Sequence, residues 1–324
     1  MSAPAADRGF WVAVASASSL HDTPLREQRE GTALVLWRDG RGQVAALDDR
    51  CPHRGASLAS GRVEAGAIEC AYHGWRFAAD GRCLAIPARP GLDPPHRACA
   101  WRACEAEGLV WVAAEPATPG PPALGEAPAR RVLCGPYEIQ TSAPRAVENF
   151  LDTAHFAFVH ERWLGDRGHA EVPPYDVVLD AEGRPGVARY RAWQPRASSA
   201  AEGGAWVAYR YQVLGPHAAL LVKQAEGSSL SEAYALLACP LDDERTRLWF
   251  VLATSDETTS ADELRAFQDR IFAQDRPILE SQSPRRLPLD DSPEGEQHGP
   301  ADRLSVAYRR YLRTSGIACG VVRR

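Results

Sequence analysis

Two short segments, CPHRG beginning at Cys51 and CAYHGW beginning at Cys70, constrain this chain more than any other feature. Each segment places one cysteine and one histidine on a glycine-flanked loop, with His53 in the first and His73 in the second. Thiolate and imidazole are the preferred ligands of zinc and of iron–sulfur centres, so two such pairs form a metal-ligand set. The alternative is two buried cysteines beside unrelated surface histidines, and it requires both pairs to coincide by chance.

The arrangement of the four residues bears on which metal they bind. Tetrahedral zinc accepts two cysteines and two histidines, but zinc fingers usually group the cysteines ahead of the histidines. Here each loop carries one residue of each type, and the pattern resembles the Rieske motif, Cys-x-His followed by Cys-x-x-His. That resemblance implies a [2Fe–2S] cluster, with Cys51 and Cys70 on one iron and His53 and His73 on the other. Neither loop has the extra cysteine of respiratory Rieske proteins, so the oxygenase and ferredoxin type is the better match.

Composition and charge exclude several classes of protein. The net charge of −5 and the isoelectric point near 6.0 show no basic excess of the kind used to bind nucleic acid. No apolar run approaches the ~20 residues needed to cross a membrane, and eight cysteines are too sparse for a disulfide scaffold. The sequence shows no export signal, which predicts a cytoplasmic protein with free thiols.

The segment EPATPGPPALGEAP, residues 115–128, is dense in proline and glycine and predicts a domain boundary. We predict one domain over residues 1–118 and a second over residues 119–324. Short apolar runs such as TALVLW and QVAALD, separated by the turn signal RDGRG, predict a first domain made of β-strands. The second domain mixes two helix-like segments with five strand-like runs: GVARYRAW, WVAYRYQVL, AALLVKQ, EAYALLACPL and TRLWFVLAT. The fold class is therefore α+β.

The helix-like segment ENFLDTAHFAFVH contains two histidines, His155 and His160, five positions apart. A regular helix separates residues at this spacing by roughly 140°, so the two rings would lie on different faces. Asn149, Asp152 and His155 recur at three-residue spacing and share one face. From the residues alone, metal binding and two partly buried polar side chains remain equally open.

This segment resembles the Asn-x-x-Asp-x-x-His-x₄-His motif of Rieske non-haem iron oxygenases. The resemblance implies that His155 and His160 bind a mononuclear Fe(II), which such enzymes hold with two histidines and one carboxylate. We therefore expect the helix to break or bulge between Phe156 and Val159, because a regular helix would separate the rings.

The third iron ligand is expected far along the chain. The segment FAQDRPILESQ resembles the late helix of the same family, and the resemblance points to Asp275 as the ligand. Asp269 and Glu280 are the nearby competitors, and both are more typical of charges on a solvated helix face. Pro277 removes a backbone donor, and we expect a kink there to direct Asp275 inward.

Asp152 lies one turn before His155, where its carboxylate can accept the free N–H of that imidazole. Family members that resemble this chain form head-to-tail trimers. The resemblance implies that Asp152 also bridges to the Rieske histidine His73 of the next subunit, and that Asn149 lies at the edge of the same site.

The resemblance extends from about Phe10 to Asp302. It implies an all-β Rieske domain followed by a helix-grip (START/Bet v 1-like) catalytic domain with an antiparallel sheet. It also implies the terminal oxygenase of a monooxygenase system, in which a flavin- or ferredoxin-type reductase passes electrons from NAD(P)H to the cluster and the iron. O₂ is then used to hydroxylate or oxidatively demethylate a small aromatic substrate.

The length of the chain resembles the homotrimeric demethylases and monooxygenases of the vanillate and dicamba type. Hydroxylation of a methoxy or N-methyl carbon, followed by loss of formaldehyde, is the leading hypothesis for the reaction. Ring hydroxylation or dioxygenation, an electron-transfer protein with an inactive second domain, and a zinc-binding interaction module are the alternatives.

Overall fold

The computed structural model describes residues 8–125, 127–196, 204–290 and 295–323. The chain divides into two compact units, Met1–Pro121 and Pro122–Arg324. Within the described ranges, none of the helices combines the length and the apolar character needed to cross a membrane.

The described part of the first unit consists of two antiparallel sheets. The larger has the strand order β1-β10-β9-β4-β3-β2 and the smaller has the order β5-β6-β7-β8. The strands are β1 (Val12–Ser16), β2 (Leu25–Arg29), β3 (Thr32–Arg38), β4 (Val44–Asp48), β5 (Arg62–Glu64), β6 (Ala67–Glu69), β7 (Arg76–Phe77), β8 (Cys83–Ala85), β9 (Ala100–Ala106) and β10 (Leu109–Ala113). The predicted RDGRG hairpin joins β3 to β4, and the Asp39 carboxylate accepts backbone N–H groups from Arg41 and Gln43 at 2.8 and 3.0 Å.

The core of the first unit holds the two cysteine-bearing loops in place. Trp37, Leu47 and Phe77 are fully buried in one apolar cluster that also includes Cys51 and Cys70. Each Cys–His loop therefore begins at a residue packed in the core, which limits how far its ligands can move.

The second unit is built on a seven-stranded antiparallel sheet, of order β11-β17-β16-β15-β14-β13-β12 within the described ranges. Its strands are β11 (Arg130–Ile139), β12 (Val177–Leu179), β13 (Pro185–Gln194), β14 (Ala205–Gly215), β15 (Ala218–Ala225), β16 (Glu232–Pro240) and β17 (Thr246–Thr254). Two short parallel strands, β18 (Leu287–Pro288) and β19 (Val321–Val322), pair separately. The helices are α1 (Ala143–Leu151), α2 (Phe156–Val159), α3 (Ala261–Ser281) and α4 (Arg303–Thr314).

The long helix α3 packs against the sheet, which is the helix-grip arrangement predicted. Phe272 on this helix lies 4.5 Å between ring centroids from Tyr137 on β11 and 6.1 Å from Phe250 on β17. Ser260 begins the helix through a capping box with Glu263. The helix continues through Pro277 to its last residue.

All five predicted strand runs of the second unit are confirmed as β13 to β17. The hairpin predicted at LDDERT joins β16 to β17, where the Leu241 N–H donates to the Arg245 carbonyl at 2.9 Å. Sequence reasoning missed β11 and α4. The pairing of β11 with β17 shifts register between Cys134 and Tyr137, at a Gly-Pro pair that conceals the strand pattern.

The predicted position of the helix break is wrong. Residues 156–159 are helical, and the interruption lies earlier, where α1 ends at Leu151 and Asp152 adopts an extended conformation with φ −76° and ψ 128°. The single turn of α2 has His155 at its N-terminal end and His160 at its C-terminal end. The two histidines therefore flank a short helix, and neither lies in the middle of a long one.

Candidate metal centres and substrate pocket

The two Cys–His loops of the first unit form the same turn. In each loop the cysteine N–H donates to the carbonyl five residues on, at 2.7 Å for Cys51 and 2.9 Å for Cys70. In each, the cysteine carbonyl accepts from a glycine four residues on, Gly55 at 2.8 Å and Gly74 at 3.0 Å. Both glycines have positive φ, +75° and +69°, which side chains with a Cβ rarely adopt. The shared turn explains why each ligand pair is followed by a glycine.

The thiols of Cys51 and Cys70 lie together in the core, each residue 2% exposed, and neither forms a disulfide. Burial raises the pKa of the Cys51 thiol to about 11, and the adjacent Cys70 thiol adds to the rise. A bound metal ion reverses this effect, because it stabilises the thiolate directly. Two neighbouring buried thiols thus fit a metal-sulfur centre.

The imidazoles of His53 and His73 also lie together, with ring centroids 4.5 Å apart. The His53 ring is stacked on Trp75, at 4.5 Å and with 3° between the planes. Its Nδ1 is buried and has no hydrogen-bonding partner among the described residues. Buried polar atoms of this kind are rare without a ligand, so this nitrogen fits a metal-binding role. His73, in contrast, is exposed.

The two thiols and the two imidazoles do not converge on one point. In the ranges that the structure describes, one set of three or more potential metal ligands has all its ligand atoms within 4.8 Å of one another. That set lies in the second unit and does not include these cysteines and histidines. A tetrahedral zinc ion requires its ligands to meet around one centre. The arrangement fits a group that spans two metal ions better than a single zinc.

That other set consists of His155, His160 and Asp275. The two Nε2 atoms lie 3.2 Å apart, and Asp275 Oδ1 lies 3.6 Å from the first and 3.2 Å from the second. Two imidazoles and one carboxylate are the donor set of non-haem iron sites, which leave other positions open.

Neighbouring side chains contact the two histidines of this set. His160 Nδ1 lies 2.9 Å from Gln274 Oε1, so Nδ1 donates its proton there and leaves the Nε2 lone pair free. His155 Nδ1 lies 3.4 Å from Asp152 Oδ2, which is close but poorly aligned for a hydrogen bond. Lone pairs and a carboxylate directed at one point repel each other unless a cation lies between them, so the set fits a metal ion.

Asn149 and Asp152 lie beside this set. The Asn149 amide nitrogen is 3.4 Å from Asp275 Oδ1, and Asn149 also contacts the adjoining pocket. The other carboxylate oxygen of Asp152 accepts the backbone N–H of Ala154 at 2.7 Å. The structure therefore brings Asn149, Asp152 and the three predicted iron ligands into one region. Sequence reasoning missed Gln274, although its position next to Asp275 on α3 was a usable signal.

An apolar pocket adjoins the three side chains, between the sheet and helices α1 to α3. Most of its lining is aromatic or aliphatic and includes Phe150, Phe156, Leu164, Leu221, Tyr234, Leu236, Leu248, Phe250, Phe267, Ile271, Phe272 and Leu279. Of the phenylalanines between the two histidines, Phe156 lines the pocket and Phe158 is exposed. Three polar groups, Gln194, Tyr209 and Lys223, enter the lining from β13, β14 and β15. No pattern in the sequence distinguished these three from ordinary strand residues.

Comparison with protein families matches both units. The Rieske [2Fe-2S] domain matches residues 10–96, and the vanillate O-demethylase oxygenase C-terminal domain matches residues 139–315. The chain belongs to the Rieske oxygenases. Methylxanthine N1-demethylase of Pseudomonas putida is 30% identical over 94% of this Rieske oxygenase and 88% of its own length. A probable methylxanthine N7-demethylase of a Pseudomonas species is 37% identical over 62% of this chain and 72% of its own.

Solved structures agree with the fold of this Rieske oxygenase. The Pseudomonas putida NdmA structure with caffeine superposes with a TM-score of 0.82 and 29% identity, covering 95% of this chain and 90% of that chain. Dicamba monooxygenase bound to 3,6-dichlorosalicylic acid has the same fold, with a TM-score of 0.79, 21% identity and coverage of 97% and 98%.

Membership of this family establishes the cofactors and the general activity. The Rieske domain carries a [2Fe–2S] cluster, and the catalytic domain uses a mononuclear iron. Rieske oxygenases are oxidoreductases that take electrons from a reductase partner and act on small aromatic substrates. The resemblance stated from the sequence motifs is thereby confirmed.

Proposed function

We propose that this Rieske oxygenase removes a methyl group from the nitrogen or oxygen of a small aromatic substrate. Cys51 and Cys70 hold one iron of the cluster, and His53 and His73 hold the other. The set His155, His160 and Asp275 holds the catalytic iron.

The main support for the proposal is that the set His155, His160 and Asp275 opens directly into a mostly apolar pocket. All three side chains line that pocket, so a flat apolar substrate placed in it would lie beside an iron held by them. The N-demethylase relatives and the match to the vanillate O-demethylase domain favour a methyl group as the reacting part.

The overall reaction balances as follows. A substrate R–X–CH₃, with X nitrogen or oxygen, reacts with O₂, two electrons and two protons to give R–X–CH₂OH and water. The hydroxymethyl product then loses formaldehyde and leaves R–XH. The iron supplies the activation of O₂ when it is bound.

The residues of the chain have separate roles in this reaction. Gln274 fixes the tautomer and the orientation of His160, and the Asp152 carboxylate lies 3.4 Å from Nδ1 of His155, close enough to favour one orientation of that ring. Phe156 and the other aromatic side chains of the pocket hold the flat ring and exclude water.

For electron delivery we propose a homotrimer that receives electrons from a flavin- or ferredoxin-type reductase. In this arrangement His73 of one subunit faces Asp152 of the next, and Asp152 also contacts His155. Two features support it: His73 is exposed, and the Asp152 side chain is 32% exposed, so both can reach a neighbouring subunit. A carboxylate between two imidazoles accepts a hydrogen bond from each and fixes both rings.

Formaldehyde release tests the proposed reaction. The purified protein is supplied with a reductase, NADH and O₂, and is given a panel of methoxylated and N-methylated aromatic compounds. We expect at least one compound to yield formaldehyde and the demethylated ring in equal amounts. The Asp275→Ala variant is the matched control and should yield neither. Turnover that gives ring-hydroxylated products without formaldehyde would contradict demethylation.

A further inference from the structure

Lys223 on β15 is the only lysine of the chain, and arginine supplies the other permanently positive side chains. Its side chain is 4% exposed, and it lines the pocket beside the iron-binding set. Burying an ammonium group is costly unless it is paired, so a lysine here requires an explanation. In a chain that uses arginine elsewhere, this position favours a compact point charge with freely directed donors.

A row of polar residues crosses the sheet at this point. Tyr209 on β14 lies directly opposite Lys223, and Lys223 lies directly opposite Glu232 on β16. Directly opposed residues project from the same face of a sheet, so their side chains are neighbours. Lys223 Nζ lies 3.0 Å from Glu232 Oε2, and both side chains are buried. The charge of Lys223 is therefore already neutralised within the protein.

The ion pair leaves hydrogen-bonding capacity unused on Lys223. An ammonium group has three N–H donors, and Glu232 is the one acceptor that contacts it in the described part of the chain. The remaining contact is with the ring of Tyr234, 5.2 Å from Nζ to the centroid. Because Lys223 lines the pocket, a bound molecule can accept from the remaining donors.

Gln194 and Tyr209 add two further polar groups to the same region. Gln194 is fully buried, and its amide nitrogen donates to the Tyr209 hydroxyl. The Gln194 Oε1 has no partner within the described ranges. Since the Tyr209 hydroxyl accepts from Gln194, its own proton is available to a ligand. A buried amide oxygen without a partner costs free energy unless a ligand satisfies it.

We propose that Lys223, Tyr209 and Gln194 form a polar subsite that recognises a neutral substrate by a carbonyl-type oxygen on its ring edge. This inference rests on the proposed function, because it assigns the substrate class of the same pocket. Lys223 and Tyr209 donate to the carbonyl oxygen, and Gln194 accepts an adjacent N–H or O–H where the substrate has one. A carboxylate is disfavoured, because Glu232 already balances Lys223 and the added negative charge would remain uncompensated in an apolar pocket.

Three matched probes test this subsite by anaerobic titration calorimetry of the iron-loaded protein, so that binding is measured without turnover. The probes are 4-methoxyacetophenone, which has a neutral carbonyl, 4-methoxytoluene, which has no acceptor at that position, and 4-methoxybenzoate, which is anionic. We expect the acetophenone to bind about tenfold more tightly than either of the other two, as one satisfied hydrogen bond predicts. Equal affinities, or tighter binding of the benzoate or the toluene, would overturn the proposal.

Two variants separate recognition from folding. The double variant Lys223→Met, Glu232→Gln removes both charges together and so leaves no unpaired buried ion. It should bind 4-methoxyacetophenone no more tightly than 4-methoxytoluene, while the affinity for 4-methoxytoluene stays within about twofold of wild type. Unchanged discrimination in this variant would refute the role of Lys223.

The single variant Glu232→Gln keeps Lys223 and removes its counter-charge. It should bind 4-methoxybenzoate about tenfold more tightly than wild type does, since the ammonium charge then becomes available. A purely structural ion pair would not change the selectivity in this direction, so unchanged selectivity would count against the subsite.

If a folded, iron-loaded wild type bound none of the three probes, the proposed function itself would be contradicted. That result is distinct from binding with the wrong preference, which would contradict only the subsite.

Discussion

His160 Nε2 lies 3.2 Å from Asp275 Oδ1, although the histidine ends a single helical turn and the aspartate belongs to a separate long helix. His155 lies at the other end of the same turn, and its Nε2 is 3.6 Å from the same carboxylate oxygen. Among the residues that the structure describes, the carboxylate of Asp275 is thus the one anionic group in direct contact with both imidazoles.

Replacing Asp275 with alanine should lower turnover by at least about a hundredfold, which exceeds the loss expected for a residue that only supports a ligand. The absorbance of the Rieske cluster should remain, because its ligands lie in the other unit. Glu280→Ala is the control on the same helix, where Glu280 accepts the Gln140 backbone N–H and contacts Arg276. An active Asp275→Ala protein beside an inactive Glu280→Ala protein would show that the carboxylate is wrongly assigned.

Gln274→Leu should weaken iron binding at the catalytic site by about 10- to 100-fold, because His160 loses the acceptor that fixes its ring. The measurement is loss of iron from the second unit to a chelator, followed at constant cluster absorbance. Gln268→Leu is the control, since Gln268 is also buried on α3 and lines the pocket. Equal iron loss from both variants would indicate general loosening of the helix.

The parts of the two metal centres that the sequence predicted depend on local patterns of residues. The cysteine and histidine spacings depend on short turns, which are encoded within each loop, as the glycines at 55 and 74 show. The partnership of His160 with Gln274 depends instead on how α2 packs against α3, and no local pattern reports that contact. The helix break at Asp152 was missed although it is local, since the Asp152 carboxylate accepts the Ala154 N–H in a short turn.

The predicted strands and helices also divide into those that a local pattern reveals and those that depend on packing. Apolar runs of strand length identified β13 to β17 correctly, although β15 and β16 are rich in alanine and leucine rather than in β-branched residues. Helix α4 was missed although its buried Leu304, Tyr308, Tyr311 and Leu312 recur at helical spacing, because Ser305 and Arg309 on the same buried face interrupt the apolar pattern. Its packing depends on charge pairs with α1, and pairs of that kind are not visible before the fold is known.

Asp152→Asn should retain both metal sites and a reducible cluster but lose most product formation. The substitution keeps the size of the side chain and removes its charge, and the amide can accept through only one oxygen. Single-turnover transfer from the reduced cluster to the catalytic iron is the quantity to measure. Transfer at the wild-type rate, or full activity from a strictly monomeric protein, would refute the inter-subunit route.

A buried charge cluster ties α1 to α4 in the second unit. Arg309 contacts both carboxylate oxygens of Glu148, at 2.5 and 2.8 Å, and also contacts Glu296. Glu148→Ala leaves Arg309 partly unpaired in the interior and should cost about 3–5 kcal/mol in the free energy of unfolding. Glu226→Ala, which breaks an exposed ion pair, should cost less than about 1 kcal/mol in the same denaturant titration. Similar losses in the two variants would contradict this account of the cluster.

Iron and acid-labile sulfide analysis tests the central claim most directly, namely that one chain carries a Rieske cluster and a separate mononuclear iron. Protein purified anaerobically should contain about three irons and two sulfides per chain. The His160→Ala variant should keep the sulfides and the cluster absorbance and contain about one iron fewer. Stoichiometric zinc without sulfide, or loss of sulfide together with iron in His160→Ala, would contradict the claim.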